Sequence, residues 1–416
     1  MEGVLRRDRW LLSICVGRVF AYSNFMVYAA CLPILRERWQ MSATEAGTIS
    51  SGFMVGYTIS LVAFSWLAER VGARRVFVLS AFATAAGAVA FGFFARGYAS
   101  ALLLYTLSAM TQGGNYTPAI MIMAERYRAD RRGRAVGWLI ASTSAGYAFS
   151  LATSGLLLAL GDYTLAFVGT GLLPSLGALI LWRALRDVPN RVHRPPRHGE
   201  TAAALLGNVR ARQLVAAYTC HCWELLGMWS WAPAFLAASL TLSGTASAKA
   251  AEAASYLVAA MHLVGALAAS TMGHLSDLWG RGAVLLLLAA AGTVVSLGIG
   301  WLVGGPPFMM IALILVYGFV TIGDSPVLST ALTEAVAPAH LGSALAIRSL
   351  LGFGAGAVAP TAFGLALDAA DLAGFGPPAA WGSAFAVLAI GGAGAAWNAW
   401  RFAREPRCAT GNPVRP

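Results

Sequence analysis

The sequence predicts an all-α membrane protein of twelve spanning helices, arranged as two pseudo-symmetric six-helix bundles. Composition, the length of the apolar runs and a duplicated signature carry this reading. Apolar residues make up 58% of the chain and charged residues 11%, against roughly 25% charged in soluble domains. Repeated stretches of about 20 residues with almost no charge can each cross a ~30 Å hydrocarbon core as a helix. They place spans 1 to 12 near 10–35, 44–68, 75–96, 99–124, 134–160, 164–184, 213–239, 253–274, 283–304, 307–332, 342–367 and 379–402. A soluble core could not use so many apolar runs of bilayer length. A membrane barrel would show short segments alternating apolar and polar residues.

The signature is Trp66-Leu67-Ala68-Glu69-Arg70-Val71-Gly72, which returns as His274-Leu275-Ser276-Asp277-Leu278-Trp279-Gly280. Leu, an acid and Gly fall at matching places, each time where one apolar run ends and the next begins. Other matches follow in the same order. Glu125 precedes Gly133 by eight residues, as Glu334 precedes Gly342. Gly114-Asn115-Tyr116-Thr117-Pro118 aligns with Gly323-Asp324-Ser325-Pro326 after one deletion, and Pro33 aligns with Pro233. Parallel six-helix repeats related by an axis along the membrane normal are a transporter architecture. The predicted domains are a bundle at 1–184, a linker at 185–212, a second bundle at 213–402 and a tail at 403–416.

The net charge of +11 is distributed asymmetrically. With both termini on one side, loops on the opposite side carry only Arg36, Arg38, Arg96 and Lys249. The helices carry Arg18 and Arg348, and every other Lys or Arg falls on the side of the termini. The positive-inside rule makes that side cytoplasmic, in a multi-pass protein of the bacterial inner membrane. The basic charge is thereby accounted for without a nucleic-acid partner. The run from Trp10 to Leu35 is too long for a cleaved signal and reads as an uncleaved first span. Cys15, Cys31, Cys220, Cys222 and Cys408 form no external pair and imply no disulfide framework. The linker, with Arg186, Arg191, Arg194, Arg197 and Arg210 among Pro189, Pro195 and Pro196, reads as a solvated tether with a short surface helix around 202–209.

On these motifs the chain resembles the major facilitator superfamily over nearly its whole length. The family's loop between helices 2 and 3 reads approximately Gly-x-Leu-Ala-Asp-Arg-x-Gly-Arg-Arg. Here Ser65 replaces the first Gly, Glu69 the Asp and Ala73 the first Arg after Gly72, whereas Arg70, Gly72, Arg74 and Arg75 remain. The second copy keeps Gly273, Asp277, Gly280 and Arg281. Gly72 and Gly280 permit the tight reversal that a side chain would obstruct. Glu69 and Asp277 lie where the positive N-termini of spans 11 and 5 begin, an attraction of ~0.3–1 kcal/mol if exposed. The resemblance implies a contact that latches the halves on the inner side and is released as the carrier opens inward. Glu69, Arg70, Gly72, Arg74, Glu125, Asp277, Gly280, Arg281 and Glu334 are the predicted gating residues.

The repeat also has mismatches. Asn24 aligns with Glu224 and Asn115 with Asp324, so each amide of the first half faces a carboxyl group in the second. The resemblance implies that helices 1, 4, 7 and 10 line the central cavity. Glu224 lies ~17 Å into its helix, near mid-bilayer. A charged carboxylate there costs at least ~2.5–3.5 kcal/mol and belongs in a bundle interior or an aqueous cavity. Glu224 and Asp324 are the expected proton-coupling groups, with His221, one turn from Glu224, and His262 as relays; the bland alternative is hydrogen bonding between helices. Arg18 and Arg348 are the intramembrane cations. They either bind a carboxylate or other anion, pair with acids such as Asp324 in an inner gate, or snorkel to the interface. Asn24, Asn115, Tyr116, Trp223, Arg18 and Arg348 are the expected substrate-binding residues. Tyr22, Tyr28, Tyr147, Trp229 and Trp231 are more simply packing or interface aromatics.

Cys220 and Cys222 lie about 200° apart on a helix and cannot face one ion together. In span 5, Gly137 and Gly146 begin the family's antiporter signature, but Ser150 and Leu151 stand where its next Gly and Pro belong. Ala109 stands where many proton antiporters have an Arg. The expectation is a proton-coupled secondary transporter of a small polar or anionic organic solute, a symporter without cofactor, monomeric in the lipid bilayer. A metal, cation or drug transporter of the same fold and a non-transporting membrane sensor are the alternatives. No nucleophile–base set suggests an enzyme.

Overall fold

The computed structural model describes residues 8–192, 207–337 and 341–405. The expected surface helix around 202–209 begins outside them, as do Arg194, Arg197 and Cys408. Among the described residues ten helices are long and apolar enough to cross a membrane. Span 2 is Ala43–Val71, span 3 Ala73–Phe94, span 5 Ala129–Leu160, span 6 Tyr163–Ala184, span 7 Val209–Leu242 and span 8 Ser247–Trp279. Span 9 is Arg281–Ile299, span 10 Pro307–Ala335, span 11 Leu341–Leu372 and span 12 Pro377–Arg404.

The remaining two spans are broken rather than continuous, a difference from the sequence expectation. Span 1 comprises Arg9–Ala21 and Val27–Arg38, and span 4 comprises Tyr98–Ala109 and Thr117–Arg126 with a short 3-10 turn at Gly113–Asn115 between them. An unpaired backbone group in the membrane costs several kcal/mol, and hydroxyl groups of neighbouring helices meet the freed groups here. Ser150 Oγ accepts from Met26 N at 3.1 Å and Tyr105 OH donates to Phe25 O at 2.7 Å. At the second break Ser60 Oγ accepts from Gly113 N at 3.0 Å and donates to Ala109 O at 3.2 Å. Asn and Gly residues favour such local departures from the helix. Spans 7 and 10, their counterparts in the repeat, run without a break.

The two duplicated turns behave as expected. Gly72 has φ +96° and Gly280 φ +88°, a region that disfavours side chains.

The halves meet mainly away from the basic loops. Span 2 packs on span 11 and span 5 on span 8. The outer piece of span 1 packs on spans 7 and 8, while its inner piece packs mainly on spans 5 and 6. At the far end Asp368 receives Ala43 N and Thr44 N, both at 2.8 Å, so a carboxylate of one half caps a helix of the other. A Cβ on Gly47 would stand 2.2 Å from Pro360 O, and one on Gly364 2.2 Å from Ala43 O, so backbones touch there. Deeper in, Thr361 Oγ1 donates to Ser51 Oγ at 2.7 Å. These contacts between the halves lie at the far end, beside a cavity of about 860 Å³ whose wall takes Glu37 and Asp162 from one half and Thr241 and Trp381 from the other.

Replacing Asp368 with Ala therefore removes the cap and loosens the far-end closure. In a background free of native cysteines, a thiol at Ser230 should react with an impermeant maleimide from the far side several-fold faster in D368A. An unchanged rate would show that the cap does not hold this end shut.

Candidate functional site

Arg18 is fully buried. Its guanidinium reaches span 5, where it donates to Leu139 O and, at 2.9 Å, to Thr143 Oγ1; its other contact is the Tyr22 hydroxyl at 3.4 Å. Arg348, 7% exposed, donates to Ser329 Oγ at 2.7 Å and lies over the Tyr218 ring at 4.1 Å. Nε of each is buried without a partner. The sequence offered acid neutralisation as one role for this pair. Among the described residues, however, no carboxylate lies within ion-pair distance of either. Tyr116 stands at the end of the broken turn of span 4.

Asp324 faces His221 instead, with Oδ1 at 3.0 Å from Nδ1. Proximity is not alignment, since this oxygen accepts no hydrogen bond. On its other side His221 Nε2 meets Ser325 Oγ at 2.9 Å. The two acids occupy different places. Glu224 lies in the core of the second half, among spans 9, 10 and 12. Tyr317 OH donates to its Oε1 at 3.1 Å, and with that proton committed Ser296 Oγ donates to Tyr317 at 2.8 Å. Small residues make room for the carboxyl group: a Cβ on Gly392 would stand 2.7 Å from Oε2.

The first half repeats this geometry in neutral form. Asn24 donates to Ser108 Oγ at 3.3 Å, and Asn24 and Ser108 are the counterparts of Glu224 and Tyr317 at offsets of 200 and 209. Asn24 also accepts from Gln112 at 3.4 Å, and Asn115 donates to Thr84 Oγ1 at 3.2 Å. Both amides therefore serve the core of the first bundle. Trp223, expected on the cavity wall, points to span 12, where Nε1 donates to Val387 O at 2.9 Å. His262 touches neither acid; it packs against Trp229 and Tyr147, with ring centroids 5.1 and 5.7 Å away. Tyr317 and Tyr218 join the site through contacts that their spacing along the chain did not single out.

The gating residues differ between the halves. Arg281 lies 2.5 Å from Asp277 and 2.8 Å from Glu334, tying the second turn to the end of span 10. Both acids are more than half exposed, so the pairs are worth little individually. The first half has Ala73 where Arg281 would fall, and it uses another device. Asn190, at the start of the linker, donates to Val71 O at 2.7 Å and accepts from Arg75 N at 3.1 Å across Gly72. Arg70 lies over Trp66 at 3.7 Å. Glu69 makes no ion pair among the described residues and Arg74 is half-buried. Glu125 ends span 4 as Glu334 ends span 10. Nothing in the linker's basic, Pro-rich composition marked Asn190. Asn190→Ala should speed hydrogen exchange at Arg75 and its neighbours without changing the Gly280 turn; equal protection in both proteins would remove the clamp role.

Residues 14–323 match the family model described as Major Facilitator Superfamily. A "Probable 4-methylmuconolactone transporter" of Cupriavidus pinatubonensis is 26% identical over 167 residues, 39% of this chain and 39% of the relative. "Membrane sensor protein UhpC" of Salmonella typhimurium is 27% identical over 46% of this chain and 43% of its own length. The chain thus aligns with less than half of either relative. Among solved structures, a bacterial homologue of the human lysosomal transporter Spinster, inward-facing and unoccupied, superposes with a TM-score of 0.73. It has 18% identity and covers 96% of this chain and 97% of that one, a likeness of fold.

Proposed function

The chain belongs to the Major Facilitator Superfamily, and from that premise we propose that it carries a small organic anion across the bacterial inner membrane by proton-coupled alternating access. The family and its transporter relatives support a membrane-transport role. The observation that carries the anionic reading is the pair Arg18 and Arg348. Two buried cations from opposite halves have no carboxylate partner among the described residues. An uncompensated charge is costly at membrane depth, and a bound anion offsets that cost. Arg supplies the planar donor fork that suits a carboxylate.

With the basic loops cytoplasmic, the Asp368 contacts lie on the outer side. In this account an anion bound between the halves helps draw their inner ends together, and the far-end contacts of Asp368 open in exchange. The duplicated turns then approach the helix starts of the opposite half, as a latch. His221 and Asp324 form the proton-accepting pair nearer the basic end of the second half. Glu224, behind them, transmits their charge state through Tyr317 on the same helix as Asp324. The name of the first relative, a transporter of a small organic lactone, is compatible with this substrate size.

Reconstituted protein should take up a small monocarboxylate such as benzoate several-fold faster with an alkaline interior than without a pH gradient, and a protonophore should abolish the difference. Glu224→Gln should lose the acceleration while its abundance in the membrane stays intact. Full coupling in that variant would remove Glu224 from the proton path; uptake indifferent to the gradient in the native protein would overturn proton coupling itself.

A further inference from the structure

Three aromatic side chains from both halves converge beyond the arginine pair. Tyr147 of span 5 lies 5.3 Å from Trp229 of span 7 and 5.7 Å from His262 of span 8, centroid to centroid. Trp229 and His262 are themselves 5.1 Å apart. The cluster is continuous with the arginine site, since Tyr22 packs edge-on to Tyr147 at 5.7 Å and touches Arg18.

Packing alone does not explain the polar atoms of this cluster. Trp229 Nε1 is buried and donates to nothing, and His262 Nε2 is buried without a partner in a side chain only 1% exposed. An indole N–H seeks an acceptor when buried, and an unmet buried group costs ~1–3 kcal/mol. Trp231 shows the ordinary solution two residues away: its Nε1 donates to Pro360 O at 3.0 Å. Trp39 Nε1 is also unmet, but here two orphan groups are neighbours at the seam between the halves. Trp229 also borders, with Phe25, Met26 and Phe53, a cavity of about 20 Å³ that neither Tyr147 nor His262 lines, the room of about one water.

We propose that Tyr147, Trp229 and His262 form a subsite for the planar, unsaturated end of the transported anion, with Trp229 Nε1 and His262 Nε2 hydrogen-bonding a polar atom on that end. The proposal rests on the organic-anion reading and narrows it to conjugated or aromatic acids carrying an acceptor remote from the carboxylate. The rings supply stacking surface, the orphan groups supply direction, and the arginines hold the carboxylate at the other end. Because Tyr147 belongs to the opposite half from Trp229 and His262, a ligand here touches both halves at once.

Equilibrium binding to the full chain in nanodiscs tests this with three probes: 4-acetylbenzoate, 4-isopropylbenzoate, which lacks the acceptor, and trans-4-acetylcyclohexanecarboxylate, which lacks the planar ring. The first should bind about 5–10-fold tighter than the second, the worth of one buried hydrogen bond, and several-fold tighter than the third. Trp229→Phe keeps a ring and removes the N–H. It should erase the preference for 4-acetylbenzoate over 4-isopropylbenzoate while leaving the affinity for 4-isopropylbenzoate within twofold. Arg348→Gln should weaken all three alike. If the native chain binds the three equally, or the preference survives in W229F, the subsite is overturned and the anion reading stands. If none of the three binds, both readings fall.

Discussion

Two guanidinium groups held inside the bilayer, with no carboxylate against them among the described residues, are the constraint from which the functional account follows. Each is tied to its own half, Arg18 to the backbone and hydroxyl of span 5 and Arg348 to Ser329 and the Tyr218 ring. Those contacts satisfy direction but not charge. Neutral hydrogen bonds lower the cost of a buried cation, whereas only an anion cancels its field. The acids of the second half do not fill that role. Asp324 is turned toward His221 and Glu224 is enclosed by spans 9, 10 and 12.

The rest of the fold permits this charge to be compensated from alternating sides. At the far end the seam is made of backbone contacts, at Gly47 and Gly364, and of the Asp368 cap on span 2. Such contacts are short and directional, and they form or break as a unit when two rigid bundles rock. At the basic end each duplicated turn is secured within its own half, by Arg281 in one and Asn190 in the other. Each turn is thus preshaped by contacts within its own half.

Much of this was legible in the sequence because periodicity and charge report directly on the bilayer. The positions of the spans, the duplicated turns with their left-handed glycines and the mismatched pairs all follow from the amino-acid order. The breaks in spans 1 and 4 were not legible, because they depend on hydroxyl groups from other helices, Ser60 and Ser150, that meet the freed backbone. Orientation was harder still. Trp223 and Glu224 share a helix with His221, yet they point toward span 12 and its neighbours, a choice set by the glycines Gly391 and Gly392. The substitution of Asn190 for a missing arginine crosses more than a hundred residues of chain and leaves no local signal. The repeat identified where chemistry is concentrated, and packing decided which of those residues share a space.

Anion compensation of Arg18 and Arg348 is the central claim, and the melting temperature of the purified chain measures it most directly. Benzoate should raise it progressively as the concentration passes its dissociation constant, and the isosteric neutral benzamide should not. Arg18→Gln or Arg348→Gln should weaken the benzoate effect by at least about tenfold in concentration, the loss of one charge-assisted pair. Equal stabilisation by benzoate and benzamide, or an undiminished benzoate effect in both variants, would contradict the account.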